Sequence, residues 1–315
     1  MTHSGSWFAC VLVLCSVFVM WCSAGEPQTP AEQRPKKGSA TTPAKTLRVS
    51  VVQMRSSPKL EENIAKTTRF LEQSAKDGAR VVVFPECSLT GYDPETAKRL
   101  SAEDLAAVER RVAEACKRIG IYAIVGMPWR QEGKLYNAAV VITPQGRVLE
   151  RFFKMQLAED WPEPGDHLSV FPIDGVLCTI IICHDERYPE LVRLPVLAGA
   201  QVVFYISHES GLHEEQKIDP YRAQIQARAV ENGVFVAHSN APANKDASGS
   251  HGQSRLISPT GRIIQEASMF DEEVLTTTFE LAKASRTNGV RSLQSKVLRS
   301  WWEEGMKLVR RIEEQ

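Results

Sequence analysis

The sequence predicts an α/β fold in which β-sheets pack on each other and helices lie outside. From Leu47 onward, short apolar runs typical of strands alternate with longer segments of helical periodicity. Two pairs of these runs are separated by the turn sequences Pro-Gln-Gly at 144–146 and Pro-Thr-Gly at 259–261, which indicate hairpins. The chain has 315 residues, of which 43% are hydrophobic, so it is long enough for one domain with a large core.

The strands are predicted from apolar runs that are rich in β-branched and aromatic residues. The run Leu-Arg-Val-Ser-Val-Val-Gln-Met at 47–54 is the first, and the almost wholly apolar run at 176–182 is typical of a buried strand. By the same criteria, strands are expected at residues 47–54, 79–84, 121–127, 135–143, 147–153, 176–183, 201–207, 234–239, 253–257, 262–266 and 274–279.

The helices are predicted at residues 58–76, 101–118, 189–198, 220–232 and 290–314. In the first of them, Leu60, Ile64 and Leu71 recur at helical spacing, and an Asp-Gly pair follows as a stop signal. Ser101 opens the second helix with Asp104 in the capping-box position.

The first 24 residues are similar to a secretory signal peptide, with cleavage after residue 24. Residues 7–21 are almost wholly apolar, no Lys or Arg precedes Arg34, and small residues lie just before the cleavage point. An uncleaved anchor is the alternative, although about 15 apolar residues are fewer than the roughly 20 that span a bilayer. Lipidation of Cys22 is disfavoured because Trp21 is large. We expect an exported protein, periplasmic or extracellular, without stable membrane insertion after leader removal.

Residues 25–46 are rich in Pro, Thr, Lys and Gln and have no apolar periodicity, which predicts a disordered linker. The folded domain is expected at 47–285, and a C-terminal helical extension at 286–315. We expect the last helix to contribute to oligomerisation, because several apolar residues fall roughly on one of its faces. These residues are Val290, Leu293, Val297, Trp301 and Leu308.

Composition excludes several classes of partner and fold. The formal net charge is +0, which gives no electrostatic footprint for nucleic acid. Three of the seven cysteines lie in the expected leader, and the remaining four are too few for a disulfide scaffold in a chain of this size.

The histidines invite a metal interpretation that the spacing does not favour. His208, Glu209, His213 and Glu214 lie close together in sequence, but Gly211 interrupts any helix that would align them. A zinc hydrolase usually has ligands at i and i+4 on a helix or in a tight cluster. We therefore expect neither a metal nor another cofactor.

Three reactive side chains each lie at the end of a predicted strand: Glu86, Lys154 and Cys183. A carboxylate, an ammonium and a thiol at neighbouring strand ends form a nucleophile with a base and an electrostatic partner. A lone cysteine is more often a core residue, and only the joint context favours catalysis here. Core packing is the role we assign to the other cysteines of the domain, Cys87, Cys116 and Cys178.

This combination predicts hydrolysis of an acyl compound. Lys154 would favour the thiolate of Cys183, and Glu86 would accept its proton. The sulfur would attack the carbonyl carbon of an amide, while Lys154 and the backbone N–H of His184 stabilise the charge on oxygen. Glu86 would then protonate the departing amine, and water would hydrolyse the thioester.

Several stretches in a fixed order identify a family. They are Val-Val-Gln-Met at 51–54, Phe-Pro-Glu-Cys-Ser-Leu-Thr-Gly-Tyr at 84–92, Phe-Lys at 153–154, Ile-Cys-His-Asp-Glu-Arg-Tyr-Pro-Glu at 182–190, Gly-Ala at 199–200 and Ile-Ser-Pro-Thr-Gly at 257–261. Together they make the chain resemble the carbon–nitrogen hydrolases of the nitrilase superfamily over about residues 48–279.

The resemblance implies a four-layer αββα sandwich, a homodimer or larger homo-oligomer, and a Glu–Lys–Cys triad at Glu86, Lys154 and Cys183. It also implies a second glutamate between the lysine and the cysteine. Glu159 matches that position best, and Glu163 is the alternative.

The expected substrate is a small amide or N-carbamoyl compound. His-Asp follows the cysteine, where nitrilases of this superfamily usually have Trp-Glu, so the resemblance favours the amidase-like branches. Nitrile hydrolysis and a catalytically silent binding or scaffold module of the same fold remain the alternatives. Tyr92, Arg187 and His208 are the possible substrate-binding residues; Arg187 would hold a substrate carboxylate or anchor its own loop.

Overall fold

The computed structural model describes residues 45–313. The expected signal peptide at 1–24, and all of the expected linker except its last two residues, lie outside the described residues. Among residues 45–313, no helix has both the length and the apolar character needed to cross a membrane.

The described strands are β1 Thr46–Gln53, β2 Val81–Val83, β3 Tyr122–Gln131, β4 Lys134–Ile142, β5 Val148–Phe153, β6 Leu168–Ile173, β7 Val176–Ile182, β8 Val202–Ser207, β9 Phe235–Asn240, β10 Arg255–Ile257, β11 Ile263–Glu266, β12 Glu273–Glu280 and β13 Val309–Arg311. The α-helices are α1 Leu60–Lys76, α2 Pro94–Arg99, α3 Ala102–Ile119, α4 Glu190–Leu197, α5 Ile218–Asn232, α6 Thr287–Val290 and α7 Arg299–Met306. Short 3₁₀ helices lie at Cys183–Arg187, Leu212–Lys217, Leu281–Lys283 and Arg291–Gln294.

The strands form two mixed sheets. The first has six strands in the order β12-β1-β2-β3-β4-β5, and the second has seven in the order β11-β10-β9-β8-β7-β6-β13. β1, β2 and β3 are parallel neighbours in the first sheet, and β7, β8 and β9 are parallel neighbours in the second. The carboxyl ends of such strands lie at one edge of a sheet, which is where ligands bind in many α/β proteins.

The sheets pack face to face, and helices cover their outer faces. On β2, Val81 and Val83 belong to the core between the sheets, whereas Val82 packs with the residues of α1 and α3 on the other side. This alternation follows from the two-residue period of a strand. On the second sheet, α4 contacts β7 and α5 contacts β9. The expected αββα sandwich is confirmed.

Helix α3 shows how local sequence sets the outer layer. Ser101 and Asp104 form the predicted capping box, and Gly120 ends the helix at φ 79°. Leu105, Val108, Val112 and Cys116 are buried at helical spacing, so one face of the helix covers the sheet. The expected core role of Cys116 is therefore what the structure shows.

The C-terminal segment is not the single helix expected at 290–314. Ser295 has an extended backbone (ψ 115°) that separates the 3₁₀ helix Arg291–Gln294 from α7, and the segment ends in β13 rather than in a helix. β13 pairs in parallel with β6 and adds an edge strand to the second sheet. The physical reason is tertiary packing: the Arg193 side chain of α4 donates to Ser292 and lies 6.0 Å from the Trp302 ring.

Candidate active site

Glu86 lies in the turn that follows β2, and its side chain is fully buried. Its backbone N–H donates to the Ser207 carbonyl of the second sheet at 3.3 Å. Gly126 of β3 lies directly against this turn. A Cβ on Gly126 would lie 2.5 Å from the Pro85 oxygen and 2.7 Å from the Glu86 Cα, so the turn fits only because this residue is a glycine.

Lys154 follows β5, and its ammonium lies between two carboxylates. Nζ donates to Oε1 of Glu86 at 3.0 Å and to Oε1 of Glu159 at 2.5 Å. Asn137 on β4 donates to the same oxygen of Glu86 at 2.7 Å and lies 3.5 Å from that of Glu159. Glu163, the alternative second glutamate, has an exposed position, so the structure favours Glu159.

Cys183 lies at the end of β7, partly exposed, with a backbone φ of 45°. A positive φ is uncommon outside glycine and persists where the surroundings hold it. The thiol is directed at the His208 carbonyl, with Sγ 3.9 Å from that oxygen. The His208 N–H donates to Oε2 of Glu86 at 2.8 Å. One residue at the end of β8 therefore connects the expected nucleophile to the expected base.

The stretch that contains these residues matches the family model described as carbon–nitrogen hydrolase over residues 48–288. The chain belongs to the carbon–nitrogen hydrolase family. It is 31% identical to the 2-oxoglutaramate amidase of Bacillus subtilis over 214 residues, which cover 66% of this chain and 81% of that relative. It is also 31% identical to the omega-amidase NIT2 of Xenopus tropicalis over 253 residues, which cover 75% of this chain and 89% of that relative.

Solved structures agree on the fold of this carbon–nitrogen hydrolase. The crystal structure of an amidase from Nesterenkonia sp. superposes with a TM-score of 0.72 and 22% sequence identity, covering 84% of this chain and 100% of that one. The αββα sandwich is therefore shared. The family match and the two amidase relatives confirm the predicted enzyme class, a carbon–nitrogen hydrolase.

Burial strongly affects the protonation of Glu86, Lys154 and Cys183. Burial, opposed by Lys154, raises the pKa of Glu86 to about 7. Burial opposes the charge of Lys154, but Glu86, Cys183 and Glu159 together raise its pKa above the ordinary value. Burial and then the charge of Glu86 raise the pKa of the Cys183 thiol well above its ordinary value. The resting site therefore holds a thiol, with Glu86 close enough to its titration point to accept the proton.

Tyr92 and His208, two of the expected substrate-binding residues, stack against each other. Their ring centroids are 4.4 Å apart with an interplanar angle of 2°. Tyr92 donates to Oε1 of Glu159 at 2.5 Å, and the backbone of His208 holds Glu86. Burial lowers the pKa of His208 to about 4, so the imidazole is neutral near pH 7. This pair forms a wall that contacts both carboxylates.

Arg187 and His184 lie in the 3₁₀ helix that begins at Cys183. Arg187 is exposed, and its Cζ lies 5.3 Å from the centroid of the Tyr221 ring. The ring of His184 meets Tyr188 edge to face at 5.8 Å. The backbone N–H of His184 belongs to the residue directly after Cys183, which is the position expected for the oxyanion donor.

Sequence reasoning missed several polar residues that support the site. Asn137 lies inside an apolar strand and holds Glu86. Asp185 is buried and accepts N–H groups from the loop after Lys154, Met155 at 3.1 Å and Gln156 at 2.7 Å, and from Ile182 at 3.0 Å. The signal that could have revealed Asn137 is a single amide within an otherwise apolar run.

The histidine cluster considered for a metal has a different arrangement. His213 is exposed, whereas Glu209 is buried with Oε2 3.0 Å from His251 Nε2 and Oε1 3.5 Å from His238 Nε2. Among residues 45–313, no three or more His, Cys, Asp or Glu side chains are grouped as a metal site.

Proposed function

We propose that this carbon–nitrogen hydrolase is an amidase that acts through a thioester on Cys183. The observation that carries the proposal is the arrangement of Lys154 between Glu86 and Glu159, with Glu86 connected to Cys183 through the backbone of His208. A buried ammonium held by two carboxylates is costly to assemble, and it is suited to stabilising negative charge on a substrate.

In the first half-reaction, Glu86 takes the thiol proton as the sulfur attacks the carbonyl carbon of the amide. Two N–H bonds of Lys154 point at Glu86 and Glu159, and its third is available for the developing oxyanion together with the His184 N–H. When the tetrahedral adduct collapses, the C–N bond breaks and Glu86 protonates the leaving amine. In the second half-reaction, water loses a proton to Glu86 and cleaves the thioester, which releases the acid and the free thiol.

For the substrate, we propose a small amide that carries a carboxylate away from the scissile bond. The names of the two amidase relatives support this class, because 2-oxoglutaramate is such an amide. Arg187 is the candidate cation for the carboxylate: it lies four residues after Cys183, and its exposed guanidinium lies 5.3 Å from the centroid of the Tyr221 ring.

An ammonia-release screen tests this function. ω-Amides of dicarboxylic acids, simple aliphatic amides, ureido acids and nitriles are compared with Cys183→Ala as the blank. We expect the ω-amides to give the highest kcat/KM. The activity of Cys183→Ala should be at least about 10³-fold lower than that of the wild type. Highest turnover on ureido acids or nitriles would contradict the amidase assignment, and no turnover on any class would favour the silent binding module. Arg187→Gln should raise KM for the ω-amides and leave an uncharged amide unaffected.

We propose that the protein is exported. The apolar run at residues 7–21 and the small residues before residue 25 support a cleaved leader. Expression with and without residues 2–24, followed by fractionation and intact mass measurement, tests this. Protein that keeps its leader mass and remains cytoplasmic would contradict the proposal.

We also propose that the enzyme is a homodimer or larger, with the C-terminal segment at residues 286–313 in the interface. Several large apolar side chains of this segment are exposed in the single chain, which supports a contact with a second copy. They are Val290, Val297, Leu298, Trp301 and Leu308.

A further inference from the structure

A tyrosine behind the nucleophile contacts the backbone of Cys183. Tyr205 lies on β8, fully buried, and its hydroxyl is 3.3 Å from the Cys183 carbonyl oxygen and 2.7 Å from Oε1 of Glu209. We propose that Tyr205 is a positioning residue that orients the His184 N–H of the oxyanion hole through the carbonyl of Cys183. This inference rests on the proposed function, in which that N–H receives the developing negative charge.

The geometry of the peptide group makes the connection direct. The carbonyl of Cys183 and the N–H of His184 belong to one trans peptide unit, which is planar, so they point in opposite directions. A donor that holds the carbonyl therefore fixes where the N–H points. Cys183 has a φ of 45°, a conformation that needs such support. A hydrogen bond to the carbonyl also polarises the same peptide and makes its N–H a better donor.

The tyrosine is itself held in place by a buried polar cluster, defined as Glu209, His238 and His251. The Tyr205 ring stacks on His238 with centroids 4.2 Å apart and an interplanar angle of 18°. Oε2 of Glu209 lies 3.0 Å from Nε2 of His251, and the backbone N–H of Glu209 donates to Oδ1 of Asn240 at 3.2 Å. None of these cluster residues belongs to the triad, and together they locate the hydroxyl within reach of the Cys183 carbonyl.

The hydroxyl has one proton and makes two close contacts with acceptors, the Glu209 carboxylate and the Cys183 carbonyl; the buried carboxyl of Glu186 also lies near it. In the resting enzyme the carboxylate of Glu209 is the nearer one, so it takes the larger share of the hydrogen bond. When charge develops on the substrate oxygen, the His184 N–H is polarised and the Cys183 carbonyl becomes a stronger acceptor, so more of the hydrogen bond moves to it. An interaction that strengthens only in the transition state raises kcat and leaves substrate binding unchanged.

The test is Tyr205→Phe, which keeps the stacked ring and removes the hydroxyl. Amide hydrolysis is compared with alkylation of Cys183 by iodoacetamide, followed on the peptide that contains it. Alkylation displaces iodide and forms no oxyanion, so it reports thiol position and reactivity alone. Removing a direct oxyanion donor lowers kcat by about 10²–10³; for this indirect one we expect about a 10-fold fall in kcat, a KM within about twofold and an unchanged alkylation rate.

Tyr122→Phe is the matched control, because Tyr122 is equally buried but lies at the amino end of β3, remote from the site. It should leave kcat unchanged. An unchanged kcat in Tyr205→Phe, or equal falls in hydrolysis and alkylation, would overturn the proposal, the second result indicating a structural role. Activity that survives Cys183→Ala would instead reject the proposed function.

If Tyr205→Phe does not fold, 3-fluorotyrosine at position 205 replaces it. This residue keeps the ring and the hydroxyl and is a stronger donor. An increase in kcat with unchanged alkylation is expected, and an unchanged or lower kcat would overturn the inference.

Discussion

The surroundings of the Glu86 carboxyl allow it to accept and release a proton near neutral pH. Burial raises its pKa most, Lys154 lowers it and Glu159 raises it, and the net result is a pKa of about 7. A general base is most effective when its pKa is close to the working pH. The second glutamate therefore does more than hold the lysine: its charge helps to keep Glu86 basic.

The pKa of Glu86 should set the pH dependence of kcat/KM. Below about pH 7 Glu86 is protonated and cannot accept the thiol proton, so activity should rise with pH through about 7. Glu86→Gln should lose this rise and reduce kcat by about 10²–10⁴. Rates measured from pH 5 to 9 on an uncharged amide test it. A profile that stays flat between pH 6 and 8 in the wild-type enzyme would contradict the role of Glu86.

At this scale, the three residues of the proposed triad could be singled out from the sequence, and the residues that hydrogen-bond to them could not. Glu86, Lys154 and Cys183 each follow an apolar run, so the end of the strand is visible in the sequence. Asn137 and Tyr205 lie inside strands, where their polarity has meaning only once the neighbouring strands are known. Glu159 was separable from Glu163 only by the family resemblance, and the structure separates them by contact with Lys154.

At the scale of elements, β3 and the turn after β2 must approach closely for Glu86 to reach Lys154. Gly126→Ala would place a Cβ against the backbone of Cys87, Pro85 and Glu86. We expect the turn to shift, kcat to fall at least about 10-fold because small misplacements are costly in catalysis, and stability to fall by about 1–3 kcal/mol from overpacking. Steady-state kinetics and urea denaturation measure the two effects.

Gly120→Ala is the control for that change. Gly120 has a φ of 79° and no atom within 4 Å of an added Cβ, so it isolates the cost of backbone strain. The free energy of unfolding of this variant should fall by about 1 kcal/mol, and its kcat should remain that of the wild type. Wild-type kcat in Gly126→Ala would show that the close approach does not position Glu86.

Helices and strands were predicted correctly where the local sequence pattern determines them. The prediction failed where contacts with distant parts of the chain determine the structure. The capping box of α3 was visible in two residues. β6 and the short helix α2 were missed, and the C-terminal helix was wrong. The end of this segment forms β13, which pairs with β6, a strand more than 130 residues earlier in the chain. No local sequence pattern indicates that pairing.

For the whole molecule, the proposed assembly makes a prediction about size in solution. Trp301 is 54% exposed in α7, and Trp301→Arg should weaken the dimer and shift the elution volume towards that of the monomer. Phe270→Arg is the matched control, because Phe270 is also an exposed aromatic residue (42%) but lies in the turn before β12. Equal elution of both variants and the wild type would reject the C-terminal segment as the interface.

The proposed mechanism requires the sulfur of Cys183 to carry the acyl group during turnover. Rapid acid quenching of the wild-type enzyme during hydrolysis of a small amide, followed by intact and peptide mass measurement, tests it most directly. We expect an added mass equal to the acyl group, located on the peptide that contains Cys183 and absent from Cys183→Ala. An adduct on another residue, or continued turnover by Cys183→Ala, would contradict it.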